Sequence, residues 1–137
     1  MKVVLIQCVK KKKPYRCKVK DLYDSTWFHY AWCYAQSQKP DKIFILSAKY
    51  GLVDPEMEIE PYEETLNDKP NSEICTWASN LLDSLRQRTD VTKDTFVILA
   101  GEKYRRNLDD HLDKCTIPMK GLKIGQQLKW LKARCTQ

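Results

Sequence analysis

Three short runs of β-branched, aromatic and aliphatic residues constrain this chain more than any other feature: Val3-Val4-Leu5-Ile6, Ile43-Phe44-Ile45-Leu46 and Phe96-Val97-Ile98-Leu99-Ala100. None alternates with polar residues, as a strand with one wet face would. Unbroken apolar runs of this length belong to strands covered on both faces, which is the condition of a parallel sheet. Helical patterns lie between them. Asp24 or Ser25 can cap a helix through Trp27 to Ala35, stopped by Pro40 and Asp41. Asn71 or Ser72 starts another, with Ile74, Trp77, Ala78, Leu81, Leu82 and Leu85 on one face. Tyr104, Leu108 and Leu112 predict a helix over 102–113, and Ile124, Leu128 and Leu131 predict a last one over about 125–134. The order predicts an α/β fold: a small parallel sheet of three to four strands, helices on both faces, a Rossmann-like three-layer sandwich. The 137 residues suit one domain, 1–137.

The location of function follows from that order. In open parallel sheets ligands sit beyond the C-terminal ends of the strands. Three segments converge there: Gln7-Cys8 with the lysine loop after it, Ser47-Ala48-Lys49-Tyr50-Gly51-Leu52, and Gly101-Glu102-Lys103-Tyr104. Residues 47 to about 71 read as an irregular stretch, longer than an ordinary connection. No glycine lies in the loop after the first strand, which excludes a P-loop or a dinucleotide fingerprint. No G-x-S-x-G elbow surrounds Ser47, so a serine triad is disfavoured. His29 and His111 read as helix-face and surface residues.

Charge adds a second constraint. The net charge is +6, yet residues 1–20 hold eight Lys or Arg and no acid, and residues 114–137 hold six and no acid, leaving the middle acidic. If the ends meet in the fold they form one positive patch suited to phosphate; otherwise they serve solubility. The six cysteines form no Cys-x-x-Cys pair and no finger-like spacing with histidine. They read as reduced thiols of a cytoplasmic protein, with a zinc site built from distant cysteines as the alternative. No secretory signal or membrane-length apolar run is visible, and no metal or cofactor is expected.

Within the convergence, Ser47 offers a hydroxyl, Lys49 a cation, Tyr50 a ring that can stack on a base, and Gly51 an unusual backbone. The competing reading makes Tyr50 and Leu52 core plugs and Lys49 a solvated charge. Cys8 lies among Lys10 to Lys13, whose charge favours a thiolate; lining the site or plain packing are its other roles. Glu63, beside Glu60, Tyr62 and Glu64, could serve as a general base or stabilise a cationic sugar-like transition state, as could Asp21. Solvation and helix capping are their structural alternatives. Trp27, Trp32 and Trp77 read as core residues.

Six separated segments then share one pattern: Cys8 with Lys10; Asp21-Leu22-Tyr23-x-Ser25-x-x-Phe28; Leu46-Ser47-Ala48-Lys49-Tyr50-Gly51-Leu52-Val53; Pro61-Tyr62-Glu63-x-Thr65-Leu66; Gly101-x-x-Tyr104; and Gly121-x-x-Ile124-Gly125-Gln126-x-Leu128-x-Trp130. In this order they resemble a small bacterial and phage family of uncharacterised domains with a Ser-Ala-Lys-Tyr-Gly-Leu motif. The resemblance runs over nearly the whole chain. More distantly, Tyr50-Gly51 and Pro61-Tyr62 are similar to a pair in the YaaA-type peroxide-stress proteins, which are associated with DNA binding and a fold like that of DNA glycosylases. That resemblance implies a nucleotide or nucleic acid as ligand.

The resulting expectation is an enzyme acting at an N-glycosidic bond of a nucleotide or nucleic acid. Glu63 or Asp21 supplies the carboxylate, and the ligand meets Gln7, Cys8, Lys10, Tyr23, Ser25, Ser47, Lys49, Tyr50, Gly51, Tyr62, Gly101, Glu102 and Tyr104. The alternatives are a non-catalytic DNA- or RNA-binding module using the basic ends, and a protein-interaction domain acting as inhibitor or adaptor. A homodimer is compatible with the chain.

Overall fold

The computed structural model describes residues 1–135. Strand β1 (Lys2–Gln7) leads into a basic loop, strand β2 (Cys17–Lys18) and one turn of helix α1 (Val19–Leu22). Helix α2 (Thr26–Ser37), strands β3 (Lys42–Ser47), β4 (Gly51–Val53) and β5 (Glu58–Ile59), and helix α3 (Asn71–Arg88) follow. Strand β6 (Thr95–Leu99), the single turn α4 (Glu102–Arg105), strand β7 (Lys114–Thr116) and helix α5 (Ile124–Cys135) complete the order.

The main sheet has five strands in the order β4-β3-β1-β6-β7. The three apolar runs are its centre, with β1 parallel to both β3 and β6. Val3, Val4, Leu5 and Ile6 are each 0% exposed, as expected for a strand covered on both faces. Each such side chain contributes about 1.5–3 kcal/mol by leaving water. The connection β1-α2-β3 runs one way across the sheet and β3-α3-β6 runs back past β1. With both crossovers right-handed, α2 and α3 fall on opposite faces, giving the three-layer α/β sandwich. Helix α5 packs against α2, and α3 against β4.

The sheet exceeds the three to four strands expected because two three-residue strands extend its edges. β4 returns antiparallel to β3, with Ser47 opposite Gly51, and Gly51 adopts φ +74°, which a side chain would resist. β7 adds parallel to β6. The stretch 47–71 is therefore structured: a tight hairpin, then β5 pairing with β2, then a 3-10 turn at Leu66–Asp68. The helix expected over 102–113 stops after Arg105, and a 3-10 turn at Asp109–His111 follows. Tyr104, Leu108 and Leu112 are all buried, so their spacing records burial along a winding segment rather than one helix. Elsewhere the local signals act as their chemistry requires. Ser25 Oγ accepts the Phe28 amide at the start of α2, and Lys39 at φ +50° ends that helix before Pro40.

Candidate functional site

Sheet order decides where a ligand can sit. The connection leaving β1 turns toward β3, while the one leaving β6 turns toward β7. Chains that part in opposite directions leave a crevice between the two strand ends, and ligands of open α/β sheets lie in such a crevice. A cleft with a volume of about 610 Å³ opens there. Gln7, Lys10 and Lys11 come from the end of β1 and its loop; Gly101, Glu102, Lys103 and Tyr104 come from the end of β6 and α4. Ser25 and Trp27 enter from α2, and Ile124 and Gln127 from α5.

Gln7 holds the two strand ends together. Its Oε1 accepts the Gly101 N–H at 2.7 Å, and a Cβ on Gly101 would stand 3.2 Å from that oxygen. Glycine at 101 thus lets the side chain of Gln7 approach the backbone. Opposite, Trp27 Nε1 donates to Gln127 Oε1 at 3.1 Å, which fastens α5 to α2 across the mouth. Lys103 donates to the Asn67 carbonyl, bringing the 3-10 turn to the rim. Lys10 and Lys11 are exposed and form no ion pair among the described residues, whereas Arg16 faces Glu60 and Lys18 and Lys20 both face Glu56. The N-terminal loop and the start of α5 do meet at this cleft. Part of the loop's charge is neutralised before it gets there.

Beside the cleft lies a buried chain of hydroxyls. Ser47 Oγ, with Ser47 at 0% exposure, accepts the Tyr50 amide and donates to Tyr62 OH at 2.8 Å. Tyr62 OH lies 2.6 Å from Tyr23 OH. Tyr104 OH accepts the Leu66 amide and stands 3.5 Å from Cys8 Sγ. Burial, and then the nearby Cys8, push the phenols of Tyr23, Tyr62 and Tyr104 well above the ordinary tyrosine range, so all three stay protonated at neutral pH. They act as fixed hydroxyls and not as bases. Lys12 Nζ sits 4.3 Å from the Tyr62 ring centroid, and burial lowers its pKa while Cys8, Glu63 and Glu64 pull it back up.

The residues expected to form one site are divided by the structure among four places. Gln7, Lys10, Ser25, Gly101, Glu102 and Tyr104 line the cleft. Cys8, Tyr23, Ser47 and Tyr62 are buried in or beside the hydroxyl chain. Lys49, Tyr50 and Gly51 line a separate hollow of about 210 Å³ against α3. Asp21 is exposed on α1, near Cys17 and Lys18, and Glu63 is exposed near Lys12. Neither lines the cleft, whose one carboxylate is Glu102.

Several lining residues escaped the sequence reading, Asn67, Trp27, Ile124 and Gln127 among them. Trp27 reads as core and is 9% exposed, but its edge faces the cleft. Gln127 and Ile124 fall in the segment Gly121 to Trp130, whose place in the shared motif order was their only signal. Trp77, also read as core, anchors the motif loop by donating its indole N–H to the Ser47 carbonyl at 2.8 Å. All six cysteines are free thiols, and no three His, Cys, Asp or Glu side chains among the described residues gather as a metal set.

The family model of DUF6884, a family of unknown function, matches residues 3–133, and the chain belongs to that family. No curated protein and no solved structure matches it.

Proposed function

We propose that this DUF6884 member is a cytoplasmic enzyme that acts on a nucleotide or nucleic acid at its N-glycosidic bond, in the cleft between the ends of β1 and β6. One observation carries the reading: a cleft at the point where the chain connections diverge combines three lysines, Lys10, Lys11 and Lys103, with a single carboxylate, Glu102. Lysines at strand ends suit a phosphate. A carboxylate in the same cleft suits the positive charge that grows on a sugar as its bond to the base breaks. The volume of about 610 Å³ accommodates a nucleotide.

The geometry ranks the carboxylates. Glu102 stands inside the cleft, and Glu63 and Asp21 stand outside it. The test is base release from nucleotides and from DNA, measured for the wild type and for Glu102→Gln, Glu63→Gln and Asp21→Asn. Loss of release with Glu102→Gln alone is the expected result. Absence of release by the wild type, with nucleic-acid affinity intact and indifferent to all three substitutions, would instead establish a non-catalytic binding module. Lys10 and Lys11, exposed and without an ion pair among the described residues, favour that second reading.

A further inference from the structure

The hydrogen-bond polarity of the cleft can be read residue by residue. A backbone N–H and an indole N–H can only donate, so each fixes which end of its partner amide it meets. The Gly101 N–H therefore holds Gln7 by its oxygen, at 2.7 Å. The other end of Gln7, the Nε2 amine, finds no acceptor among the described residues, and it is not among their buried unpartnered atoms. Gln7 lines the cleft, and its amine is therefore an unsealed donor at that wall. Gln127, across the mouth, is tied at both ends: Oε1 to the Trp27 indole and Nε2 to the Leu122 carbonyl at 3.0 Å. Both of its ends are engaged within the protein, leaving one Nε2 hydrogen and one Oε1 lone pair.

Ser25 repeats the pattern set by Gln7. Its Oγ accepts the Phe28 amide at 3.0 Å, and its hydrogen meets no acceptor among the described residues. The wall built by the end of β1 and the start of α2 thus presents donors. The acceptor-only side chain of the cleft, Glu102, stands on the opposite strand end, at the start of α4.

We infer that Gln7 is a specificity-determining residue, whose Nε2 donates to a keto oxygen of the base and so selects keto bases over amino bases. The inference rests on the nucleotide reading above and names the class of base within it. A keto oxygen opposite Nε2 completes a hydrogen bond; an exocyclic amine in the same place sets donor against donor and leaves both unpaired. Gly101 is part of the device, because a Cβ there would stand 3.2 Å from the Gln7 oxygen and crowd the arrangement that turns this oxygen inward and the amine outward.

The experiment compares ligands that differ at one exocyclic group and the protonation of the ring nitrogen beside it. Inosine and adenosine 5′-monophosphates, and uridine and cytidine 5′-monophosphates, are titrated against the full chain by calorimetry. The wild type is expected to bind the keto member of each pair about tenfold more tightly. Gln7→Glu keeps an oxygen for the Gly101 N–H and replaces the free donor by an acceptor. It is expected to retain the melting temperature and to lose or reverse the preference. Gln7→Met, which removes both ends, should abolish the preference without reversing it. Equal binding of keto and amino partners by the wild type overturns the inference and leaves the nucleotide reading standing. A preference unchanged in Gln7→Glu assigns the selection elsewhere and overturns it equally. If none of the four nucleotides binds, the nucleotide reading fails first and the inference with it.

Discussion

At the scale of single residues, the buried hydroxyls of Ser47, Tyr62 and Tyr23 form the most sensitive part of the molecule. Tyr62 is the middle member, accepting a hydrogen bond from the Ser47 hydroxyl and meeting Tyr23. Tyr62→Phe leaves two buried hydroxyls short of a partner, and each orphaned group costs about 1–3 kcal/mol. Urea unfolding should show a loss of about that size, with Ser47→Ala in the Tyr62→Phe background adding less than it does alone. The sequence disclosed these residues as neighbours and misjudged their exposure. Ser47 stood out as a hydroxyl at a strand end. That it is sealed under Tyr62 depends on a partner 15 residues on, whose side-chain direction no local pattern encodes.

At the scale of elements, the small sheet β2-β5 and the turn α1 form a clip over one side of the core. Val19 and Lys20 donate their amides to the carbonyls of Met57 and Pro55, and Glu56 meets both Lys18 and Lys20. Those two lysines hold the Glu56 carboxyl down to about 2, from an ordinary 4.5. A carboxyl depressed in the folded state supports stability above its unfolded pKa and loses that support as the pH falls through its folded one. The melting temperature of Glu56→Gln should therefore lie below that of the wild type at neutral pH. The gap should close between pH 4.5 and about 2, and added salt should narrow it, since Glu56 and Lys18 lie largely in solvent. At the start of α2, Ser25→Ala should cost about 1 kcal/mol in thermal unfolding through the lost cap on Phe28. The long elements were legible because burial on both faces, or on one helical face, writes itself into a repeating pattern. The three-residue strands β4 and β7 carry no such pattern: pairing with a neighbour makes them strands.

At the scale of the whole molecule, the convergence of strand ends was the most productive inference, because sheet order follows from alternation of element types and a handedness rule. Of the three segments expected to converge, two bring Gln7, Gly101 and Glu102 to one cleft, while Lys49, Tyr50 and Gly51 of the third line a separate hollow. The opposite wall was not legible, since Trp27 meets Gln127 from 100 positions away through the packing of α5 on α2. The same assembly makes a prediction about charge. If Lys10, Lys11 and Lys103 contact phosphates of a single-stranded oligonucleotide, the logarithm of its affinity should fall against the logarithm of salt concentration with a slope of roughly −2, and replacing one lysine should flatten that slope. A final consequence attaches to the place of β1 between β3 and β6. It is made before either neighbour, and β6 ends at Leu99. At the usual pace of translation, roughly 5 to 20 seconds pass before the second neighbour exists. Through that interval a strand whose Val3, Val4, Leu5 and Ile6 are all fully buried in the finished protein has a bare edge, so a nascent chain stalled before β6 is expected to recruit chaperones more than the finished one.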